Sequence, residues 1–374
     1  MNIAFFCIPA HGHTNPTLAV VRELTARGHT VRYYTTEAFR AKVEAAGAVF
    51  VPFDTEAARP GMTAADGARL GSDLAFSTKL IVDLTLAADD WLSRELTAHR
   101  PDVIAGDSMA FWAKLAAKKH GIPFVSSTTT FAFNRFSAKV IEQNGAGFLQ
   151  FLLAQPRINR QLKRLRAAGY AVKSVFDIIA NDNETETVVY TSPDFQPCAD
   201  TFSEKYHFVG PLLRPAQSSF EKLPGRSLIY ISLGTVNNDA LPFYRACLAA
   251  FGGDPRFQLV LSAGTQTDLA ALGPIPENCT VRASVDQMAV LDCADVFLTH
   301  CGMNSASEGL WHGLPLVLYP QTPEQHGVAN RVAALGAGVP LTDPSADGIR
   351  RAVEAALTDP AYRENAQKLA DGFR

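Results

Sequence analysis

The sequence predicts an α/β protein built as two facing, Rossmann-like, doubly wound domains. Three observations lead there. The chain has 374 residues, about twice a typical domain. Short apolar runs alternate with amphipathic stretches of helical period in both halves, the pattern of parallel strands covered by helices. Between the halves, residues 212–226 (LLRPAQSSFEKLPGR) are rich in Pro, Ser and charge and carry no period, as a linker does. Domains are expected at residues 1–211 and 227–374.

In the first half, Ile3–Ile8 is an apolar run suited to a buried strand, and Pro9–Pro16 is expected to be a loop. Leu18, Val21, Leu24 and Thr25 share one helical face, and Gly28 stops that helix. Thr30–Thr36 is a second strand, Ala38–Ala46 a second helix closed by Gly47, and Val49–Phe53 a third strand. This β-α-β-α-β order dictates a parallel sheet with right-handed crossovers. Further strands end at Asp107 and at Ser127, with Thr128–Thr130 following the latter. In the second half, strands are expected at Leu228–Leu233, Gln258–Ala263, Cys279–Ala283, Val296–Leu298 and Leu314–Tyr319. Helices are expected over Leu241–Ala250 and Gln287–Leu291, with one more opened by Asn304 or Ser305 and stopped by Gly313.

Composition excludes several function classes. A net charge of −3 leaves no electrostatic footprint for nucleic acid or an anionic membrane. No apolar run approaches the roughly 18 residues of a spanning helix. The N-terminus lacks the basic region and long apolar run of a signal peptide. Six scattered cysteines without a CxxC spacing suit a reducing compartment, so a cytoplasmic protein is expected. The basic run Arg157–Arg166 is expected to be a solvated helix face.

The chemistry concentrates where strands end, because ligands of open α/β sheets bind beyond the strands' carboxyl ends. After Val296–Leu298 come His300, Gly302, Asn304 and Ser305. A glycine turn leading into a helix N-terminus is a cradle for phosphate, through free N–H groups and the helix dipole. Glu308, one turn in, is placed to accept vicinal hydroxyls such as those of a ribose. Glu324 and Gln325 follow the next strand and are suited to sugar hydroxyls. A capped core helix would account for the first of these residues alone. In the first half, the loop with His11, Gly12 and His13 is not a GxGxxG fingerprint. A histidine base there needs an orienting carboxylate, and Asp107 ends a strand on the same side; alone, it would serve as a helix N-cap. Phe76, Phe111, Trp112, Phe131, Phe133, Phe136 and Phe148 exceed what a minimal sheet core needs and are candidates for an apolar pocket wall.

The stretch His300–Gln325 resembles the donor-binding signature of the UDP-glycosyltransferases, family 1 of the inverting two-domain glycosyltransferases. It carries HCGMNS, then Glu308, Gly-Leu-Pro and Glu-Gln in family order. Its style is that of the bacterial macrolide and natural-product branch, and HGHTNPTL matches the family's N-terminal motif. The resemblance implies the GT-B fold, with acceptor bound by the first domain and a nucleotide sugar by the second. It implies His13 as general base, with His11 the second candidate, and Asp107 as its partner. His300, Asn304 and Ser305 would hold the diphosphate, with Gly302 in the same turn and Gly234 and Thr235 approaching it. Glu308 would hold ribose, and Glu324 and Gln325 the sugar. Ser284, Val285 and Gln287 fall where the family holds the nucleotide base.

Two departures stand out. Ser284 replaces the usual aromatic platform, and Asp286 replaces the usual proline, so thymine stays open beside uracil. The implied reaction is inverting, metal-independent transfer of a hexose, glucose first, from a nucleotide-diphosphate sugar, UDP first. The acceptor would be a hydroxyl of a small hydrophobic phenolic, flavonoid or macrolide. No cofactor beyond this co-substrate and no metal is implied. A dTDP-sugar-dependent enzyme and a non-catalytic, nucleotide-sugar-binding auxiliary protein are the alternatives.

Overall fold

Every strand pairing found in the computed structural model is parallel. The structure describes residues 1–53, 73–134, 136–137, 147–179, 183–235 and 238–374, apart from the side chains of residues 147–152. One sheet comprises β1 (Asn2–Phe6), β2 (Thr30–Thr35), β3 (Val49–Pro52), β4 (Val103–Asp107), β5 (Phe124–Thr128), β6 (Glu186–Val189) and β7 (Tyr206–Phe208). Its spatial order is β3-β2-β1-β4-β5-β6-β7. The other comprises β8 (Ser227–Ser232), β9 (Phe257–Ser262), β10 (Cys279–Arg282), β11 (Val296–Thr299), β12 (Leu316–Leu318) and β13 (Gly338–Pro340), ordered β10-β9-β8-β11-β12-β13. Both are doubly wound, Rossmann-like sheets of the expected class.

The strands are apolar on both faces because helices cover both. In β1, Ile3 and Phe5 enter one core cluster and Ala4 and Phe6 another, following the period of two. Phe5 stacks on Tyr33 at 5.0 Å between ring centroids and Phe6 on Tyr34 at 4.2 Å. Burying each such ring contributes about 2 kcal/mol. In the second sheet Ile229 and Ile231 pack into a core cluster with Leu259 and Leu261, while Tyr230 stacks on Phe297 at 4.8 Å.

Contacts divide the chain into two units, Met1–Tyr190 with Cys198–Leu212, and Thr191–Pro197 with Leu213–Arg374. The short segment Thr191–Pro197 belongs to the second unit through Arg331, which donates to the carbonyls of Asp194 (2.7 Å) and Phe195 (2.9 Å). Phe195 also sets its ring edge-on to Phe373 at 5.7 Å.

Three local expectations are corrected. The helix after β1 begins at His11, not beyond Pro16. Ala10 is extended and its carbonyl accepts the N–H groups of His13 (3.0 Å) and Thr14 (2.8 Å), and the fixed φ of Pro16 fits a helix near its start. Residues 61–91 show no clear period in the sequence and are expected to be less regular, but from Leu74 on they form one helix, Leu74–His99, its N-terminus capped by Asp73, which accepts from Phe76 N–H at 3.0 Å. The signature helix, Met303–Trp311, is opened by Gly302, leaving Asn304 and Ser305 inside its first turn. Among the described residues no helix is long and apolar enough to cross a membrane.

Candidate functional site

Strand order reverses direction between β1 and β4 in the first sheet, and between β8 and β11 in the second. Such switch points open the crevice in which doubly wound sheets bind ligands. His13 and Asp107 lie at the first, and Gly234, Thr235, His300 and Gly302 at the second.

In the first unit, His13 sits in the first turn of the helix that follows β1, and Asp107 is the last residue of β4. Though 94 residues apart, His13 Nδ1 and Asp107 Oδ2 are 2.7 Å from each other. The aspartate side chain is fully buried and the histidine side chain 18% exposed. Asp107 Oδ1 accepts the Met109 N–H at 2.9 Å, so the carboxylate is held at both oxygens. An ionised Asp107 only accepts, which assigns the proton to Nδ1 and leaves the lone pair on Nε2. Thr129 Oγ1 is also 3.0 Å from Nδ1. Cys7, Tyr33 and Tyr190 lie near the pair. Burial pushes the Cys7 thiol and the Tyr33 phenol well above their ordinary values, and that of Tyr190 up as well, with the nearby Asp107 adding to each. His11 points elsewhere: it is exposed, sets its ring edge-on to Phe39 at 5.1 Å, and makes no hydrogen bond found among the described residues.

In the second unit, β8 ends at Ser232, in register with Thr299 of β11. The turn after β8 carries Gly234 at φ 79°, and the turn after β11 carries His300, Cys301 and Gly302. The His300 ring fills the slot between the two glycines. A Cβ on Gly234 would lie 2.6 Å from its Cε1 and Nε2, and one on Gly302 2.6 Å from its Nε2. Cys301 adopts a left-handed φ of 63°, a strained conformation for a side-chain-bearing residue and typical of functional turns. Asn238, itself buried, donates to the Gly234 carbonyl at 3.0 Å and holds that turn. Thr235 is exposed, and Asn304 and Ser305 are half-buried.

Burial lowers the His300 pKa from 6.5 to about 4, with the Ser232 carbonyl acting the other way, and the buried Nδ1 makes no hydrogen bond of normal geometry. His300 is therefore neutral at pH 7. The folded state binds its proton less readily than the unfolded state, so this stability is complete above about pH 6.5 and is lost as the pH falls towards 4. The expected cost at pH 4 is about 3 kcal/mol. Thermal melts of wild type and His300→Gln between pH 7 and 4 should show the extra acid sensitivity in the wild type alone.

Glu308 is half-buried, and burial raises its pKa against the opposing effects of the Gln287 amide and Arg214. Gln287 Nε2 donates to Glu308 Oε2, while Gln287 Oε1 accepts from Tyr230 OH at 3.0 Å. Gln287 thus orients Glu308. Ser284 is exposed and Val285 half-buried on the loop after β10. Asp286, in place of proline, accepts from Gln217 N–H (2.6 Å), Ser218 N–H (2.8 Å) and Ser218 Oγ (3.1 Å), fastening the linker to that loop. Glu324 is exposed at the start of the helix Pro323–Ala334. Gln325 closes a capping box with Thr322 there, and its Oε1 accepts the N–H groups of Gln321 (2.8 Å) and Thr322 (3.2 Å). Only its amide nitrogen is left by these bonds for a ligand.

Residues 257–373 match the family model described as Erythromycin biosynthesis protein CIII-like, C-terminal domain. The whole chain is 33% identical to the NDP-glycosyltransferase YjiC of Bacillus licheniformis, over 98% of this chain and 92% of that protein. The chain belongs to the family 1 glycosyltransferases, in their bacterial macrolide and natural-product branch. It is also 32% identical to the demethyllactenocin mycarosyltransferase of Streptomyces fradiae, over 100% of this chain and 83% of that one. Among solved structures, the glycotransferase of kitacinnamycin superposes with a TM-score of 0.85 at 31% identity, covering 100% of this chain and 94% of that chain.

For this glycosyltransferase the six described aromatic side chains expected to line an acceptor pocket divide in three. Trp112 and Phe131 are core residues, 1% and 3% exposed. Trp112 packs against Phe53 at 5.8 Å in the cluster beneath β4, so both are corrected from pocket to core. Phe111 and Phe76 are half-buried, Phe111 against the cluster around Leu115 and Ile158. Phe133 and Phe136 are exposed, and the Phe148 side chain lies outside the described residues. Met109 escaped the sequence reading: it is exposed, and its N–H is bound to Asp107. Its only sequence signal is its place two residues after the dyad aspartate.

Proposed function

We propose that this glycosyltransferase moves a hexose, glucose first, from a UDP-activated donor to a hydroxyl of a small hydrophobic acceptor, with inversion and without a metal ion. The His13–Asp107 pair at 2.7 Å carries this reading. His13 Nε2 takes the acceptor proton as the hydroxyl oxygen bonds to the anomeric carbon, and Asp107 stabilises the imidazolium. The bond from that carbon to the diphosphate oxygen breaks on the opposite face. The charge gathering on the leaving diphosphate is met by N–H groups of the first turn of Met303–Trp311 and by His300 as a neutral donor. Glu308, oriented by Gln287, takes the ribose hydroxyls, and Glu324 with the Gln325 amide takes the sugar. Phe133, Phe136 and Met109 offer apolar surface to a phenolic, flavonoid or macrolide acceptor. Gln287→Leu is expected to raise the donor KM about tenfold with kcat within twofold, since a lost orienting hydrogen bond acts on binding.

A dTDP-sugar donor is the second reading. It is favoured by the missing ring at Ser284 and by relatives whose names include both an NDP-glycosyltransferase and a mycarosyltransferase. Nucleotide release from UDP-glucose and dTDP-glucose, with a panel of planar phenols and a macrolide, with and without chelator, separates the cases. Acceptor-dependent, chelator-insensitive release of UDP supports the proposal. Release from dTDP-glucose alone moves the donor to the second reading, and loss on chelation removes the metal-free step. Donor binding without turnover on any acceptor would favour a non-catalytic auxiliary protein.

A further inference from the structure

Asp107 bonds to His13 at Nδ1, and a hydrogen bond to a single acceptor does not by itself fix the plane of an imidazole. The direction in which Nε2 points depends on whatever else touches the ring. Thr129 supplies a second contact. It follows β5, which pairs with β4 so that Ser127 lies opposite Asp107, and its hydroxyl oxygen stands 3.0 Å from Nδ1. The residue is 3% exposed, so its hydroxyl is not a solvated group that happens to be near.

We propose that Thr129 is a positioning residue: the Nδ1–H of His13 is shared between Asp107 Oδ2 and Thr129 Oγ1, and the two acceptors together fix the plane of the ring. This rests on His13 being the general base. A shared proton suits the task, because an acceptor on each side of the N–H resists rotation that a single acceptor permits. Neighbouring described hydroxyls have partners of their own. Thr14 bonds to the Ile8 carbonyl at 3.3 Å, Thr17 pairs with Tyr33 at 2.7 Å, and Ser127 pairs with Tyr190 at 2.8 Å. Burial holds Cys7, Tyr33 and Tyr190 protonated near Asp107, so none of the three adds a negative charge beside the ring. The register of β5 against β4 brings Thr129, two residues beyond Ser127, beside the base.

The test compares Thr129→Val, which keeps the shape and removes the hydroxyl, with Thr129→Ser, which keeps the hydroxyl. Thr129→Val is expected to lower kcat about tenfold, the scale of a misaimed catalytic group, with the donor KM within twofold. Thr129→Ser should restore most of kcat. The proton resonance of His13 Nδ1–H, followed in the whole protein without substrate, should shift or broaden in the valine variant and return in the serine variant. A merely structural role would lower the melting temperature and leave that resonance in place. An unchanged resonance and kcat in a folded Thr129→Val protein overturns the proposal; if that variant does not fold, a Thr129→Ala protein is read in the same way. A wild type that binds nucleotide but transfers no sugar overturns the catalytic reading instead, while the resonance still decides the role of Thr129.

Discussion

His13→Ala is expected to cut kcat about a thousandfold while leaving the dissociation constant for UDP within twofold. General-base catalysis contributes about 10²–10⁴ in rate, and a sugar acceptor hydroxyl is a poor nucleophile until its proton leaves. The proposed nucleotide contacts belong to the second unit, from Gly234 to Gln325, so removing an imidazole from the helix after β1 takes away none of them. His11→Ala is the matched control. His11 lies two residues away, and burial and the Lys42 charge lower its pKa, yet it has no carboxylate partner found among the described residues. Its loss should change kcat less than twofold. Asp107→Asn should fall between the two, because an amide in place of the carboxylate permits the wrong tautomer and no longer balances the imidazolium. Stopped-assay rates under saturating donor and acceptor, with calorimetric UDP titrations of the same preparations, give both quantities. A His13→Ala enzyme within tenfold of wild type would remove histidine from the proton transfer.

Much of the architecture is readable from residues alone because a parallel sheet buried on both faces demands unbroken apolar strands. Ile3–Cys7 and Leu228–Leu233 meet that demand within six or so residues, with helical periods between. Sequence does less well where a decision rests on register or on one face against another. Trp112 and Phe131 look like surplus aromatic residues, but an aromatic count says nothing about which way a ring faces, and both face the core. Asn304 and Ser305 have the better N-cap side chains, yet Gly302 takes the cap, because the chain must pass close beside the His300 ring. Pro16 looks like a helix boundary and sits inside the helix. The His13–Asp107 pair is visible only through a family motif, since no local rule connects residues 94 apart. Thr129 needed the pairing of β4 with β5. Asp286, a departure from the family pattern, gains its physical explanation only when the linker N–H groups are seen to converge on it.

Gly234→Ala is expected to weaken UDP binding about a hundredfold, more than the loss of any single hydrogen bond to the nucleotide. Two costs coincide at this position. Its φ of 79° is a left-handed conformation that costs a residue with a Cβ about 1–2 kcal/mol. The added carbon would also stand 2.6 Å from His300 Cε1 and Nε2, a separation no relaxed pair of carbons adopts. The ring has little room on its other side, where a Cβ on Gly302 would also stand 2.6 Å from Nε2, and Asn238 holds the Gly234 carbonyl so the turn does not flatten. The ring is therefore displaced from the slot, and with it the donor proposed to meet the diphosphate. Shrinking the ring relieves the clash but not the backbone strain, so Gly234→Ala combined with His300→Ala should bind UDP no worse than His300→Ala alone by more than about tenfold. Calorimetric titration of UDP into the two single variants and the double variant completes the cycle. Strict additivity of the two losses would mean that Gly234 and His300 act on the donor separately, and that the slot is a packing feature without a part in diphosphate binding.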